Sequence, residues 1–360
     1  MLTFLISRTD AIGDVVLTLP VAGRLKQLFP GCRVVLLGRT YTAAVAAACP
    51  AIDDFLNFDD LLQLPPAEQV AALRRQQAAA IVHVFPNKHV ARWARQAAIP
   101  LRIGTRNRWF HWLTCNRLVA LSRKNSLLHE AQLNLLLLQP LHQLAAQSGA
   151  TGPSDTLAQP IPLPELGRLA PLRPAAPLPT ELRQLLEARR PGQLNVLLHP
   201  RSRGSAREWG LAHFGKLARL LHHSGHRVFV TGTAAEEEEL RTWLAEHQPY
   251  LAADLTGQLS LPVFISFIAA ADGLVAGSTG PLHLAAALGR HALGLYPPIR
   301  PMHPGRWAPL GPHATYLVFD KPNCQDCRTQ PQACACIKAI EPAQVGAQVQ
   351  AWAPLPSGGF

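Results

Sequence analysis

The chain has 360 residues, 48% of them hydrophobic and 6% aromatic, and a formal charge of +11. The length predicts roughly two Ala/Leu-rich α/β domains, each able to bury its own core, and no apolar run reaches the ~20 residues of a membrane span. The charge excludes indifference to anions and implies an acidic partner: a nucleotide, an anionic lipid surface or nucleic acid.

Met1–Ile6 is a strand-length apolar run followed at once by Arg8 and Asp10, unlike a signal peptide. Without an export signal, the seven cysteines predict reduced thiols in a cytoplasmic protein. Leu2–Ile6, Arg33–Gly38 and Ala79–Phe85 read as buried parallel strands, with helices over Val15–Leu28 and about Pro66–Gln77. That alternation predicts a doubly wound parallel sheet. After the first strand, Gly13 permits a turn and Asp14 heads the next helix. A helix cap is the favoured role for Asp14 in the isolated motif; the alternative is a carboxylate that accepts a proton from an acceptor hydroxyl. Asp53-Asp54 and Asp59-Asp60 read as solvated acids rather than a metal site.

From Phe85 to Lys124 the chain carries Lys88, Arg92, Arg95, Arg102, Arg106, Arg108, Arg117, Arg123 and Lys124 without one acid, interleaved with Trp93, Trp109, Phe110 and Trp112. Solvated faces normally mix both signs, so this stretch predicts a polyanion site. Nucleic acid fits the composition, and so does an anionic glycolipid at a membrane. The proline-rich Gln159–Pro179 reads as a linker, giving domains 1–175 and 176–338 and a C-terminal helix and tail over 339–360.

Alternation resumes with strands Asn195–His199, Arg227–Thr231, Gly273–Ala276 and His291–Tyr296. Helices are expected over Leu211–His223, Ala235–Glu246, Pro262–Ala271, Gly280–Leu288 and about Pro342–Trp352. Two such domains in tandem predict ligands in a cleft at the carboxyl ends of their strands. The loop after Asn195–His199 holds Arg201, Arg203 and Arg207 among Ser and Gly, suited to a diphosphate but lacking a Walker ending. Most of the acids in Glu236–Glu239 need no role beyond a helix N-terminus. In Gly277-Ser-Thr-Gly280, the glycines predict a tight turn. Ser278 and Thr279 stand at N-cap positions, Pro281 suits the first helical turn, and His283 follows on it. Such a helix start favours phosphate. Cys324, Cys327, Cys334 and Cys336 can close a structural zinc site; the tight C-x-C spacing favours free thiols or a disulfide instead.

Taken in order, Arg8 with Gly13-Asp14 and Pro20, Glu130 and Asn134, the Arg201–Trp209 loop, Thr231-Gly232 with its glutamates, and Ser278–His283 resemble the family 9 glycosyltransferases, the lipopolysaccharide heptosyltransferases and their relatives. The resemblance implies a GT-B architecture: two Rossmann-like doubly wound parallel-sheet domains facing a cleft, acceptor in the first and nucleotide-sugar in the second. It implies inverting transfer of a heptose or related sugar, ADP-linked, to a lipopolysaccharide-core or similar anionic acceptor, with no cofactor or metal required. Asp14 would be the general base. Arg201, Arg207, Glu237, Leu259, Ser278, Thr279, Gly280 and His283 would meet the donor, with Glu237 on the ribose and Leu259 at the base. Arg8, Lys88, Arg92, Arg106, Arg108 and Arg123 would meet the acceptor. The expected partners are a nucleotide-sugar, an anionic glycolipid and the cytoplasmic face of the inner membrane, held peripherally, and no nucleic acid. Heptosyltransferases carry an acid where Ser278 stands, so the resemblance extends to the reaction class and not to the identity of the sugar. A nucleotide-sugar epimerase leaves the acid-free basic segment unexplained, and a non-catalytic binder of anionic glycolipid or nucleic acid leaves Asp14 and the Ser278–His283 turn without purpose.

Overall fold

A computed structural model describes residues 1–123, 126–147, 160–322 and 324–356. The chain divides into two compact units, Met1–Leu172 and Arg173–Phe360. In the first unit a six-stranded parallel sheet is built from β1 (Thr3–Ser7), β2 (Arg33–Gly38), β3 (Asp54–Asn57), β4 (Ala80–His83), β5 (Leu101–Thr105) and β6 (Arg117–Val119). Its order is β3-β2-β1-β4-β5-β6. The second unit has β7 (Asn195–His199), β8 (Arg227–Val230), β9 (Ala253–Asp254), β10 (Gly273–Gly277), β11 (His291–Tyr296) and β12 (Ala314–Val318), in the order β12-β11-β10-β7-β8-β9. Both orders are the doubly wound one, and both reverse direction beside their first strand. Those reversals fall between β1 and β4, where Ser7 aligns with His83, and between β7 and β10, where His199 aligns with Ala276.

The central strands are continuous apolar runs because helices cover both faces of a parallel sheet. All residues of β1 and β7 are buried. The strands without a sequence signal lie away from the centre: β3 opens on exposed Asp54, β6 and β9 are short, and β12 is partly exposed. The expected helix over Val15–Leu28 is two helices, Ile12–Val16 and Leu19–Leu28. Pro20 cannot donate within a helix and its ring crowds the carbonyl four residues back, so the second helix starts beside it.

The expected linker is irregular from Pro171 to Pro179, where the two units divide, but its first half is structured. Gln159 lies outside the described residues, but Leu163–Leu169 forms a helix with Leu166 fully buried. Pro162 and Pro164 stand at its N-terminus, where a missing N–H costs little. It lies on the Leu19–Leu28 helix so closely that a Cβ on Gly23 would fall 1.9 Å from the Leu169 carbonyl oxygen. The C-terminal Pro342–Gln350 helix packs on Leu211–His223 within the second unit. Of the acids expected to be solvated, Asp53, Asp54 and Asp60 are exposed as expected, and three of the four are also engaged: Asp53 accepts from Lys26 and the Val34 amide, Asp54 pairs with Arg33, and Asp59 with Arg39 and Thr40. These contacts pin the edge of the first sheet around β2 and β3.

Candidate active site

In the first unit the carboxyl end of β1 delivers Arg8 into a buried charge network. Arg8 Nε donates to Asp10 at 2.6 Å, Nη1 to Glu130 at 3.4 Å and Nη2 to Asp14. Arg123 Nε donates to the same Glu130 oxygen at 2.9 Å and its Nη2 to Asn134 at 2.9 Å. Asn134 in turn donates to the Leu17 carbonyl and Thr18 Oγ1, and Thr18 donates to the Asp14 carbonyl at 2.8 Å. The His-Glu-Ala-Gln-Leu-Asn stretch therefore fixes the loop that carries Asp14. Asp14 stands in the first turn of Ile12–Val16 without being its N-cap, which is Ala11.

Burial works against the charge on Arg8, but Asp10, Asp14 and Glu130 outweigh it and raise its pKa. Asp10 feels the opposite balance. Desolvation lifts it to about 6, against the pull of Arg8 and with the push of Asp14. A carboxyl group titrating there, beside a second carboxylate, is suited to proton transfer near neutral pH.

In the second unit the loops after β7 and β10 abut: a Cβ on Gly277 would lie 3.4 Å from the Arg207 carbonyl oxygen. Thr279 is the N-cap of the Gly280–Ala287 helix, yet its hydroxyl lies 3.3 Å from the Gly277 carbonyl and caps nothing. Among the described residues no side chain caps the N-terminal amides of this helix, a geometry suited to an anion. Gly277 and Gly280 make the turn with negative φ. Left-handed residues appear at Arg203 and Gly204, at the tip of the loop after β7. Ser278 faces the buried Tyr296 hydroxyl, and His283 is buried in the first turn of the helix.

Two arginines of this loop have partners inside the protein, and Arg203 is exposed. Arg201 pairs with Glu208 at 2.8 Å and with Glu239. Arg207 is buried and donates to Cys327 Sγ at 3.4 Å and the Cys327 carbonyl at 3.2 Å. Glu236 closes a capping box with Thr233, leaving Glu237 exposed. Glu237 lies against Gly257, whose Cβ would come within 2.8 Å of it, two residues before half-buried Leu259. A cavity of 380 Å³ beyond β11 and β12 is lined by Arg300, His303, Asp320 and Lys321 among others.

Residues 70–338, well over half of the chain, match the model of glycosyltransferase family 9 (heptosyltransferase). The chain is a family 9 glycosyltransferase. It is 26% identical over 337 residues, 88% of its length and 89% of the relative's, to a Haemophilus influenzae protein provisionally assigned as a glycosyltransferase. The lipopolysaccharide heptosyltransferase 2 of Salmonella typhimurium is 33% identical over 101 residues, 27% of this chain and 29% of that protein. In fold, the Escherichia coli ADP-heptose lipopolysaccharide heptosyltransferase II superposes with a TM-score of 0.70 at 19% identity, covering 98% of each chain. The E. coli heptosyltransferase WaaC with ADP gives 0.65 at 18%, covering 97% of this chain and 99% of that one. The architecture is GT-B, and the chain is a heptosyltransferase-type glycosyltransferase.

Within this family 9 enzyme the basic segment splits by role. Lys124 lies outside the described residues. Lys88, Arg92, Arg95, Arg106, Arg108 and Arg117 are exposed, whereas Arg123 is committed to Glu130 and Asn134. Trp93 belongs to the core beside Phe58, but the Trp109–Thr114 helix shows Trp109 at 74%, Trp112 at 62% and Leu113 at 61% exposure. Sequence reasoning passed over Asp10, whose spacing in Arg-Thr-Asp puts it back on Arg8. It also passed over His83 and His111, with ring centroids 5.6 Å apart beneath the end of β1. The first had a signal in the loop; the second had none, since isolated histidines in apolar runs read as packing. Among the described residues, Cys324, Asp326 and Cys336 form a group whose ligand atoms lie within 4.8 Å of one another.

Proposed function

We propose that this family 9 enzyme is an inverting, metal-independent transferase moving a heptose or related sugar from an ADP-linked donor to a lipopolysaccharide-core or similar anionic glycan. The observation that carries this reading is the Asp10–Asp14 pair held on Arg8 where the first sheet reverses its strand order. The acceptor hydroxyl gives its proton to Asp14 as its oxygen attacks the anomeric carbon. The bond from that carbon to the diphosphate breaks, and its electron pair leaves with the nucleoside diphosphate. Attack from the face opposite the leaving group inverts the centre. Asp10 shares Arg8 with Asp14 and keeps a second acid–base group beside the base. Donor diphosphate sits on the uncapped Gly280–Ala287 helix start with Thr279 and His283, where fixed N–H dipoles stabilise the departing charge without a divalent cation. Glu237 takes the ribose and the Leu259 backbone the base. Ser278, turned to Tyr296, brings no charge to the sugar.

The enzyme works at the cytoplasmic face of the inner membrane. No helix among the described residues is long and apolar enough to cross a membrane. Exposed Trp109, Trp112 and Leu113, flanked by Arg106 and Arg108, suit peripheral contact with an anionic bilayer that presents the acceptor.

Thermal shift against ADP-, GDP-, UDP- and dTDP-sugars tests the donor, and stabilisation by the ADP-sugars is expected. Asp14→Asn is expected to lower kcat by about 10²–10⁴ with donor affinity retained. Undiminished turnover in that variant refutes the base, and binding no tighter than millimolar across the panel refutes the donor assignment.

A further inference from the structure

Between β12 and the Pro342–Gln350 helix, the segment from Phe319 to Glu341 has little regular structure: among its described residues, one 3-10 turn at Pro331–Ala333 and a short helix at Ala335–Lys338. Its interior is nevertheless well buried. Cys324, Cys327, Cys334 and Cys336 are all buried, joined by Ile337, Ile340 and Trp209. Structureless segments of this length are uncommon in compact domains without a reason.

The thiols come together as two pairs, Cys324 with Cys336 and Cys327 with Cys334, and the first pair shares a compact group with Asp326. Cys324 Sγ and Cys336 Sγ are 3.7 Å apart, and bonds of about 2.3 Å to one tetrahedral metal would set two sulfurs about 3.8 Å apart. Cys334 contacts the Cys327 thiol and is electrostatically linked to Cys336. A second observation comes from outside the segment. Arg207 is a buried guanidinium that aims at Cys327 Sγ and the Cys327 carbonyl, and no carboxylate pairs with it among the described residues. A buried cation calls for a compensating anion, which neutral thiols do not supply. Four thiolates around one divalent ion carry net negative charge, and N–H donors to their sulfurs are the usual outer shell of such sites.

We infer that Cys324, Cys327, Cys334 and Cys336 hold one thiophilic divalent metal, zinc or iron, as a closed structural site with Arg207 in its outer shell. Binding releases the four thiol protons and forms four metal–sulfur bonds, with no change in oxidation state. Asp326 lies close enough to compete, but it is exposed and its carboxylate is 2.5 Å from Lys321 Nζ; soft ions prefer sulfur. The site takes no part in sugar transfer. It ties the irregular segment to the Arg201–Trp209 loop, so it stands whether or not the donor assignment does.

The test is metal content of the purified full-length chain by mass spectrometry, which also separates zinc from iron, together with the spectrum after cobalt exchange. One equivalent of metal is expected, with intense tetrahedral cobalt–thiolate bands. Asp326→Asn is expected to retain both, whereas Cys324→Ser and Cys327→Ser lose the metal and lower the thermal midpoint. Any of three results overturns the site. One is substoichiometric metal with all four thiols titratable. The second is an intact mass short of the reduced chain by two hydrogens per disulfide. The third is metal lost in Asp326→Asn but kept in Cys327→Ser.

Discussion

His83 on β4 is fully buried, and its two ring nitrogens, with Ser7 Oγ and His111 Nε2 nearby, have no hydrogen-bond partner among the described residues. Burial, then the nearby His111 and Arg102, push its pKa from 6.5 down to about 3. An unfolded chain takes up this proton below pH 6.5, whereas the native one resists until about 3. Native stability is therefore complete above 6.5 and falls as the pH drops through that window, by about 1.4 kcal/mol per pH unit for one group. Between pH 7.5 and 5.5 His83 alone costs about 1.4 kcal/mol, and by pH 4.5 nearly 3 kcal/mol. His83→Leu removes the titration, and because it also removes two unsatisfied nitrogens it should be neutral or slightly stabilising at pH 7.5. Hydrogen exchange of the β1 and β4 amides reports the opening free energy of the first unit, and the other buried histidines cancel in the difference between wild type and variant. The wild type should lose about 1.4 kcal/mol more than His83→Leu over those two pH units. Parallel losses would show that His83 does not titrate as its burial requires.

Other outcomes follow from contacts described above. Glu130→Gln removes one of three carboxylates on Arg8 and the one on Arg123 and should cost about 1–3 kcal/mol, read as a lower thermal midpoint together with reduced kcat through a less firmly held Arg8; an unshifted midpoint refutes the network. Gly23→Ala forces a methyl into the Leu169 carbonyl, costing roughly 1–3 kcal/mol and opening the Leu163–Leu169 helix to protease, and unchanged cleavage would contradict that packing. Replacing Trp109, Trp112 and Leu113 together by Ala should weaken sedimentation with anionic vesicles while leaving the thermal midpoint in place, since these side chains are exposed. Binding that survives both this change and high salt would place membrane contact elsewhere.

The central strands and main helices were legible because apolar runs and their glycine and proline boundaries encode them locally. β5 and β6 were hidden under the cationic composition of 85–124, and β9 and β12 are too short or too exposed to leave a period. The separate charged motifs were legible too, but their pairing was not. Arg8 and Arg123 looked like acceptor ligands, and only Glu130, 122 residues from Arg8 and 7 from Arg123, shows how they are engaged. The run of glutamates did mark a helix N-terminus, where Glu236 closes a capping box, but gave no hint that Glu239 reaches Arg201. Partnership over long sequence separation is a property of the fold, and a one-dimensional reading registers only the residue types.

The Leu163–Leu169 helix also sets a timetable for synthesis. Domains emerging from the ribosome fold N-terminal first, yet every strand of the first sheet is complete by Val119 while the Leu19–Leu28 helix still lacks its cover. Until Leu169 leaves the exit tunnel, the face around Gly23 stays open to chaperones or to another nascent chain. A fragment ended before Leu163 would carry that exposed face permanently, whereas one ended at Leu172 would carry its own lid.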